Sequence, residues 1–326
     1  MKIALDAMGS DHRPAPDVEG AVLAAREFGI TVILVGDENK IKTELAKHTT
    51  TGLDLPIVHT PTEIAMTEHV DAVKSKKDAS MNIAVKMVRQ KQADAFVTMG
   101  NSGAAMAAAL LGLGRIKGIE RPAFAAVIPT GDARTLCLDI GANVEVKPEY
   151  LYQFALMGSI YMEKVIGVAN PRVALLSNGE EEGKGTLAVR EAYTLIKQSK
   201  LNFVGNVEGK DVPRGLADVV VSDGFAGNVM IKTMEGVAEM LIDFLKAEIK
   251  RRPLAVVGAM LAKPAFDALK LRLDYAEIGG APVLGVDGVT IIGHGRSNAK
   301  AVKNAIRAAK RAIEANMLDA IRSGLQ

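Results

Sequence analysis

Short apolar runs rich in Val, Ile and Leu alternate along the chain with longer segments whose apolar residues recur every three to four positions. The first pattern predicts buried strands, the second amphipathic helices. Strands are expected at 2–5, 31–35, 56–59, 95–98, 123–128, 135–138, 172–176, 202–207, 219–221, 283–286 and 289–292. Helices are expected at 15–28, 39–48, 79–91, 102–112, 148–165, 185–199, 226–250 and 297–321. Alternation of this kind predicts the α/β class, as a three-layer α/β/α sandwich with a mainly parallel sheet. The last two strands read as a hairpin around Asp287 and Gly288. The 104–111 segment is apolar on every side and is expected to be buried.

Only 251–274 breaks the alternation, in what otherwise reads as a single domain over 1–326. It predicts an inserted hairpin of two amphipathic helices joined at Lys263 and Pro264. Leu254, Val257, Leu261, Phe266, Leu269 and Leu273 are its apolar positions. Packing in a core or a dimer interface is the expectation. A membrane surface is the alternative, helped by Arg251, Arg252, Lys263, Lys270 and Arg272.

Six Gly/Asn/Asp loops recur, most of them where a strand stops and a helix begins. They are DAMGSD at 6–11, MGNSG at 99–103, DIGAN at 139–143, SNGEEEGKG at 177–185, SDGFAGN at 222–228 and GHGRS at 293–297. In an open α/β sheet such loops gather at the carboxyl edge, where ligands bind. Glycine lets the backbone approach closely, and helix amino ends point N–H groups at anions. The expected ligand is therefore phosphate or another oxyanion held by backbone amides.

Lys184 stands between Gly183 and Gly185. A nucleotide P-loop is excluded, because the spacing from Gly179 is one residue short and Gly185 replaces the metal-binding Ser/Thr. Glu180, Glu181 and Glu182 would also repel a triphosphate. What remains is either a lysine placed for an anion or a solvated loop lysine. Asn228 is expected in the first turn of its helix, where its amide can donate to an oxyanion without adding charge. Helix capping by Asp223 or Asn228 is the plain alternative, and both can hold at once. Asn101 and Ser102 have the same two readings.

Composition narrows the classes. A formal charge of +2 sets nucleic-acid binding aside. The single cysteine excludes an internal disulfide, and Cys137 reads as a core thiol. Five scattered histidines show no metal-ligand spacing, so no metal is expected; only His294, in a Gly turn, is a candidate substrate contact. The opening residues read as a strand rather than a leader, and no run is long enough to span a bilayer, so a cytoplasmic enzyme is expected. Lys300, Lys303, Arg307 and Lys310 share one face of the last helix, either solvated or docking an acidic partner.

Together, IALDAMGSDHRPAP from residue 3, the 100–104 loop, LDIGANV from 138 and the loops at 177–185 and 222–228 resemble the bacterial phosphate acyltransferases of phospholipid synthesis. The resemblance runs through the final helix. Ser10 stands where Gly is usual, and Val146 where Cys is common. The resemblance implies a fold similar to phosphotransacetylases and isocitrate- or isopropylmalate-type dehydrogenases, a homodimer, and loose attachment to the inner membrane face. It implies acyl transfer from acyl carrier protein to inorganic phosphate, giving an acyl-phosphate for a downstream glycerol-3-phosphate acyltransferase, with no cofactor. Lys184 and Asn228 are the implied catalytic residues. Asp6, Gly9, Asn101, Ser102, Gly103, Asp139, Asn143, Asn178, Gly183, Asp223 and His294 are expected to shape the phosphate and substrate site. A short-chain transferase using acyl-CoA and a nicotinamide-dependent dehydrogenase are the rival readings; against the latter, no Gly-rich dinucleotide fingerprint opens the first helix.

Overall fold

In the computed structural model, which describes residues 1–131, 133–273 and 275–325 without the side chains of 270–273, 275 and 278, the strands join one 11-stranded sheet. They are β1 Lys2–Asp6, β2 Thr31–Gly36, β3 Ile57–His59, β4 Ala95–Thr98, β5 Ala123–Thr130, β6 Ala133–Leu138, β7 Val173–Leu176, β8 Phe203–Val207, β9 Val219–Val221, β10 Ala281–Leu284 and β11 Val289–Ile292. The helices are α1 Ala15–Phe28, α2 Glu38–Leu45, α3 Ala72–Ser75, α4 Ser80–Arg89, α5 Ser102–Leu113, α6 Pro148–Tyr161, α7 Leu187–Lys197, α8 Gly224–Lys250, α9 Pro253–Leu261, α10 Lys263–Leu273, α11 Tyr275–Ile278, α12 Ala299–Glu314 and α13 Met317–Gly324.

Strand side chains alternate between two apolar layers, as a pleated backbone requires. Along β1, Ile3 and Leu5 join the core beneath α1, α6, α7 and α12, while Ala4 joins the one beneath α4 and α5. The three-layer α/β/α expectation therefore holds. Cys137 is fully buried in β6 beside Val220, and burial pushes its thiol up to about 12. Among the described residues no helix is long and apolar enough to cross a membrane.

The sheet order is β3-β2-β1-β4-β11-β10-β5-β6-β9-β7-β8. The first five strands in that order run parallel to one another, and so do the last four. The β11–β10, β10–β5 and β5–β6 pairings are antiparallel. Three reversals make the two parallel halves point in opposite directions. The sheet thus has two carboxyl edges, not the single edge expected. Register brings them together: Thr98 pairs with Ile292 and Ile292 with Ala281, while Val283 pairs with Phe124 and Ala125 with Leu138. The carboxyl ends of β4, β11, β6 and β9 consequently reach nearly one level, on either side of β10 and β5.

Further expectations need correction. The expected 297–321 helix is two, α12 and α13, because Asn316 adopts a left-handed conformation with φ 48°. β10 ends at Leu284, since Gly285 turns at φ 95° and Val286 bridges to Arg115 instead. α5 buries one face only, and Leu111 is exposed. The hairpin at 251–274 forms as α9 and α10, with Asp274 outside the described residues and the side chains of Lys270, Arg272 and Leu273 likewise. Its expected packing in a core fails: α9 has no buried residue, and Leu254 and Leu261 are 88% and 81% exposed.

Candidate active site

In the first half of the sheet three of the six loops interlock. The Asp6 carboxylate, at the end of β1, accepts from Ser80 Oγ at 2.7 Å, Thr98 Oγ1 at 2.8 Å and the Met8 N–H at 3.2 Å. Burial nonetheless raises its pKa. Gly9 lies against the next loop: a Cβ there would sit 2.8 Å from the Gly100 nitrogen. The Asp11 N–H donates to Gly295 O at 2.8 Å, which ties in the 293–297 loop. Asp6 and Gly9 therefore hold loops together rather than face solvent. Ser10 spends its extra hydroxyl on Asp17, donating at 2.5 Å.

Asn101 is also committed. It caps α5 by accepting from the Ala104 N–H, and its Nδ2 donates to Met66 O and Glu68 O, each at 3.0 Å. Ser102 and Gly103 are left exposed at the amino end of α5.

In the second half Asp139, buried after β6, accepts from the N–H groups of Phe124, Gly141, Ala142 and Asn143 and from Asn143 Nδ2. The neighbouring loop docks through Gly224 N–H to Asn143 O at 2.7 Å and Ser222 Oγ to Asp139 O at 3.0 Å. Gly224 and Gly227 are required here, since a Cβ on Gly227 would lie 2.0 Å from Asp139 O. Asp223 caps α8, accepting from the Ala226 N–H at 2.7 Å. Asn228 is five residues beyond that cap. It opens the second turn, not the first, because the helix begins at Gly224.

The two halves meet around a cavity of about 370 Å³. Ser102 and Gly103 reach it from α5, Gly141 from the β6 loop, His294 from the β11 loop, and Asn228 and Lys232 from α8. Phe124, Ala126 and Ile128 of β5 give it an apolar wall. Asn228 is exposed and its amide has no hydrogen-bond partner among the described residues. A Cβ at Gly141 would approach its Cγ to 4.0 Å. Loss of water and the nearby Lys232 hold the His294 imidazole below its ordinary range, with Glu235 pulling the other way.

The 177–185 loop does not line this cavity. Its start, after β7, is one strand from the loop carrying Asn228. Asn178 Oδ1 accepts from the Gly185 N–H at 2.9 Å, and Gly183 faces open space. The Lys184 stem lies over Gly179, where a Cβ would come within 2.9 Å of its Cγ. Lys184 is exposed, and its Nζ has no hydrogen bond or ion pair among the described residues. Glu182 is drawn aside by Lys197 at 2.9 Å. Glu180, Glu208 and Asp211 bring carboxylate oxygens within 4.8 Å of one another beside this loop.

Sequence reasoning missed Lys232 and Glu235, which pair at 2.8 Å and follow Asn228 at helical spacings of four and seven. That spacing was the available signal. It did reach the basic face of α12, but those cations are engaged within the chain: Lys300 with Glu277, Lys303 with Glu27, and Lys310 with Glu314.

Residues 1–320 match the family model described as fatty acid synthesis protein. A phosphate acyltransferase of Pelotomaculum thermopropionicum is 51% identical over 100% of this chain and 95% of its own length. One from Dictyoglomus turgidum is 52% identical over 100% and 98%. A Streptococcus pyogenes phosphotransacetylase structure superposes with TM-score 0.64 at 19% identity, covering 96% of this chain and 94% of that one. A Klebsiella pneumoniae 4-hydroxythreonine-4-phosphate dehydrogenase gives 0.53 at 12% identity, covering 96% and 97%. The last two likenesses concern the fold alone.

Proposed function

The chain belongs to the phosphate acyltransferase family, and from that premise we propose that it moves a long-chain fatty acyl group from the thioester of acyl carrier protein to inorganic phosphate. The observation that carries this reading is the unpartnered Asn228 amide at a cavity that also receives the exposed amino end of α5. Phosphate is anionic and nucleophilic near neutral pH, and a thiolate is a competent leaving group, so neither a strong base nor a strong acid is required. A phosphate oxygen adds to the thioester carbon, the carbonyl oxygen takes the negative charge, and collapse expels the carrier thiolate with formation of acyl-phosphate. The protein's tasks are to gather two anionic groups and stabilise that oxyanion.

In this reading Asn228 donates to the oxyanion, and backbone N–H groups at Ser102 and Gly103 hold phosphate. Lys184 supplies positive charge once the 177–185 loop swings toward the cavity. Asp139, Asn143 and Asp223 act indirectly by fixing the loops. The apolar β5 wall begins the acyl groove. Val237, Met240, Leu241, Phe244 and Leu245 form an exposed stripe on α8, which we assign to a homodimer contact. The exposed apolar residues of α9 suit the inner membrane face, from which acyl-phosphate passes to a glycerol-3-phosphate acyltransferase.

The test compares long-chain acyl-carrier thioester with acetyl-CoA as donors to phosphate. Turnover of the first only is expected. Turnover of acetyl-CoA alone would replace this reading with short-chain transfer.

A further inference from the structure

A second, smaller cavity of about 40 Å³ lies behind the first and shares Val127 and Gly280 with it. Its lining joins three elements distant in sequence: Arg134 at the start of β6, Tyr161 at the end of α6, and Asn304, Arg307 and Arg311 on α12. Arginines 307 and 311 are four apart and so share a helix face. Arg134 is carried to them by the β5–β6 hairpin.

Among the described residues the charges here do not balance. Glu277 is the carboxylate in the lining, and Lys300 already holds it at 2.5 Å. Glu27 also acts on Arg307, but it is paired with Lys303 at 2.7 Å. Arg307 gives one donor to Glu277 O at 2.8 Å. Arg134 and Arg311 form no ion pair among the described residues. Burial first, then Arg311 and Arg134, pull the Arg307 pKa down, with Glu277 and Glu27 pulling the other way. Like charges held together without a counter-ion are costly, and arginine forks match tetrahedral oxyanions bidentately.

The neutral groups fit as well. Tyr161 is 3% exposed, and its hydroxyl donates to no protein group among the described residues. Burial pushes its pKa to about 12, so it stays a donor. Asn304 is 2% exposed; its Nδ2 donates to Ala276 O at 2.6 Å, and its buried, unpartnered Oδ1 is an acceptor that only a protonated oxygen of the anion could serve. At roughly 10–15 Å³ per water, the cavity takes about three waters, close to the size of one tetrahedral oxyanion.

We propose that Arg134, Arg307, Arg311 and Tyr161 form a second anion site, taking inorganic phosphate or the terminal phosphate of a small monoester. It is separate from the cavity at Asn228 and does not depend on the acyl-transfer reading.

The test is equilibrium dialysis with labelled inorganic phosphate on the wild type, on Arg134→Gln/Arg311→Gln, and on both again in a Lys184→Ala background. Both substituted arginines are exposed and form no ion pair among the described residues, so the fold is expected to survive, checked by an unfolding midpoint no lower than that of the wild type. Lys310→Gln removes a charge from the same helix outside the cavity and serves as control. The expected result is one phosphate fewer per chain in the double variant in both backgrounds, and no loss in the control. Equal binding by the double variant and the wild type, or an equal loss in the control, overturns the proposal. Displacement of the label from this site by glycerol phosphate would support a monoester as occupant, and failure of displacement the free ion.

Discussion

Asn143 grips Asp139 twice, with its N–H at 2.6 Å and its side-chain Nδ2 at 2.9 Å, so that the 139–143 loop closes on its own first carboxylate. The same loop carries Gly141 to the cavity and receives α8 at Gly224 and Gly227. Asp139→Ala strands four buried or half-buried N–H groups. At about 1–3 kcal/mol for each unsatisfied donor, with part recovered by water, a loss of at least about 3 kcal/mol is expected. Asp139→Asn keeps one accepting oxygen and should recover part of it. Urea unfolding of both variants measures the difference; equal stability of Asp139→Ala and wild type would contradict this role.

Two glycines of α8 should respond in opposite ways. Gly227→Ala drives a methyl into Asp139 O and must push the helix, with Asn228, off the loop. A cost of roughly 1–3 kcal/mol and a fall in kcat are expected. A Cβ on Gly236 meets nothing within 4 Å, so Gly236→Ala should stabilise by about 0.5–1 kcal/mol with kcat unchanged. Thermal unfolding and steady-state rates on the pair separate position from composition.

Asp17 is fully buried beside Ser10, and burial raises its pKa well above the ordinary carboxylate value. The folded state therefore binds a proton that the unfolded state releases. Stability from this group is present below the unfolded pKa near 3.8 and is lost as pH rises through the folded pKa. Asp17→Asn cannot titrate and should flatten that decline. Unfolding free energies across the interval from pH 4 to 8 test it; identical slopes for variant and wild type would count against it.

The exposed stripe on α8 makes a sharp prediction for assembly. Leu241→Glu/Phe244→Glu places two charges on it without touching the core, since both side chains are exposed. The wild type should sediment as a dimer and the variant as a monomer with an intact fold. A monomeric wild type would remove the dimer from the proposal.

Strand positions were legible because buried parallel strands are short, β-branched and bounded by turn residues, as in β4 and β9. What sequence could not supply was strand order. The six residues between 123–128 and 135–138 are too few for a parallel crossover and so point to an antiparallel β5–β6 pair, but nothing local says that β10 inserts antiparallel between β11 and β5, and hence that loops from opposite edges share one cavity. Site residues divide by the same logic. The Gly/Asn/Asp motifs were visible, but their types suit both capping and ligand contact, and only the fold separates them. Asn101 and Asp223 cap helices, Asp6 and Asp139 anchor loops, and of these Asn228 alone has a side chain with no partner among the described residues. The end of the 297–321 periodicity at Asn316 was hidden because apolar spacing continues across the break into α13.

The most direct test of acyl transfer to phosphate is to follow acyl-phosphate and free carrier thiol together, from a long-chain acyl-carrier thioester, with and without phosphate, in wild type, Lys184→Ala and Asn228→Ala. The account predicts equal amounts of both products, strictly dependent on phosphate, and a rate lower by about 100-fold or more in Asn228→Ala, the scale of a lost oxyanion donor. Thiol release that ignores phosphate, or an Asn228→Ala rate equal to wild type, would contradict it.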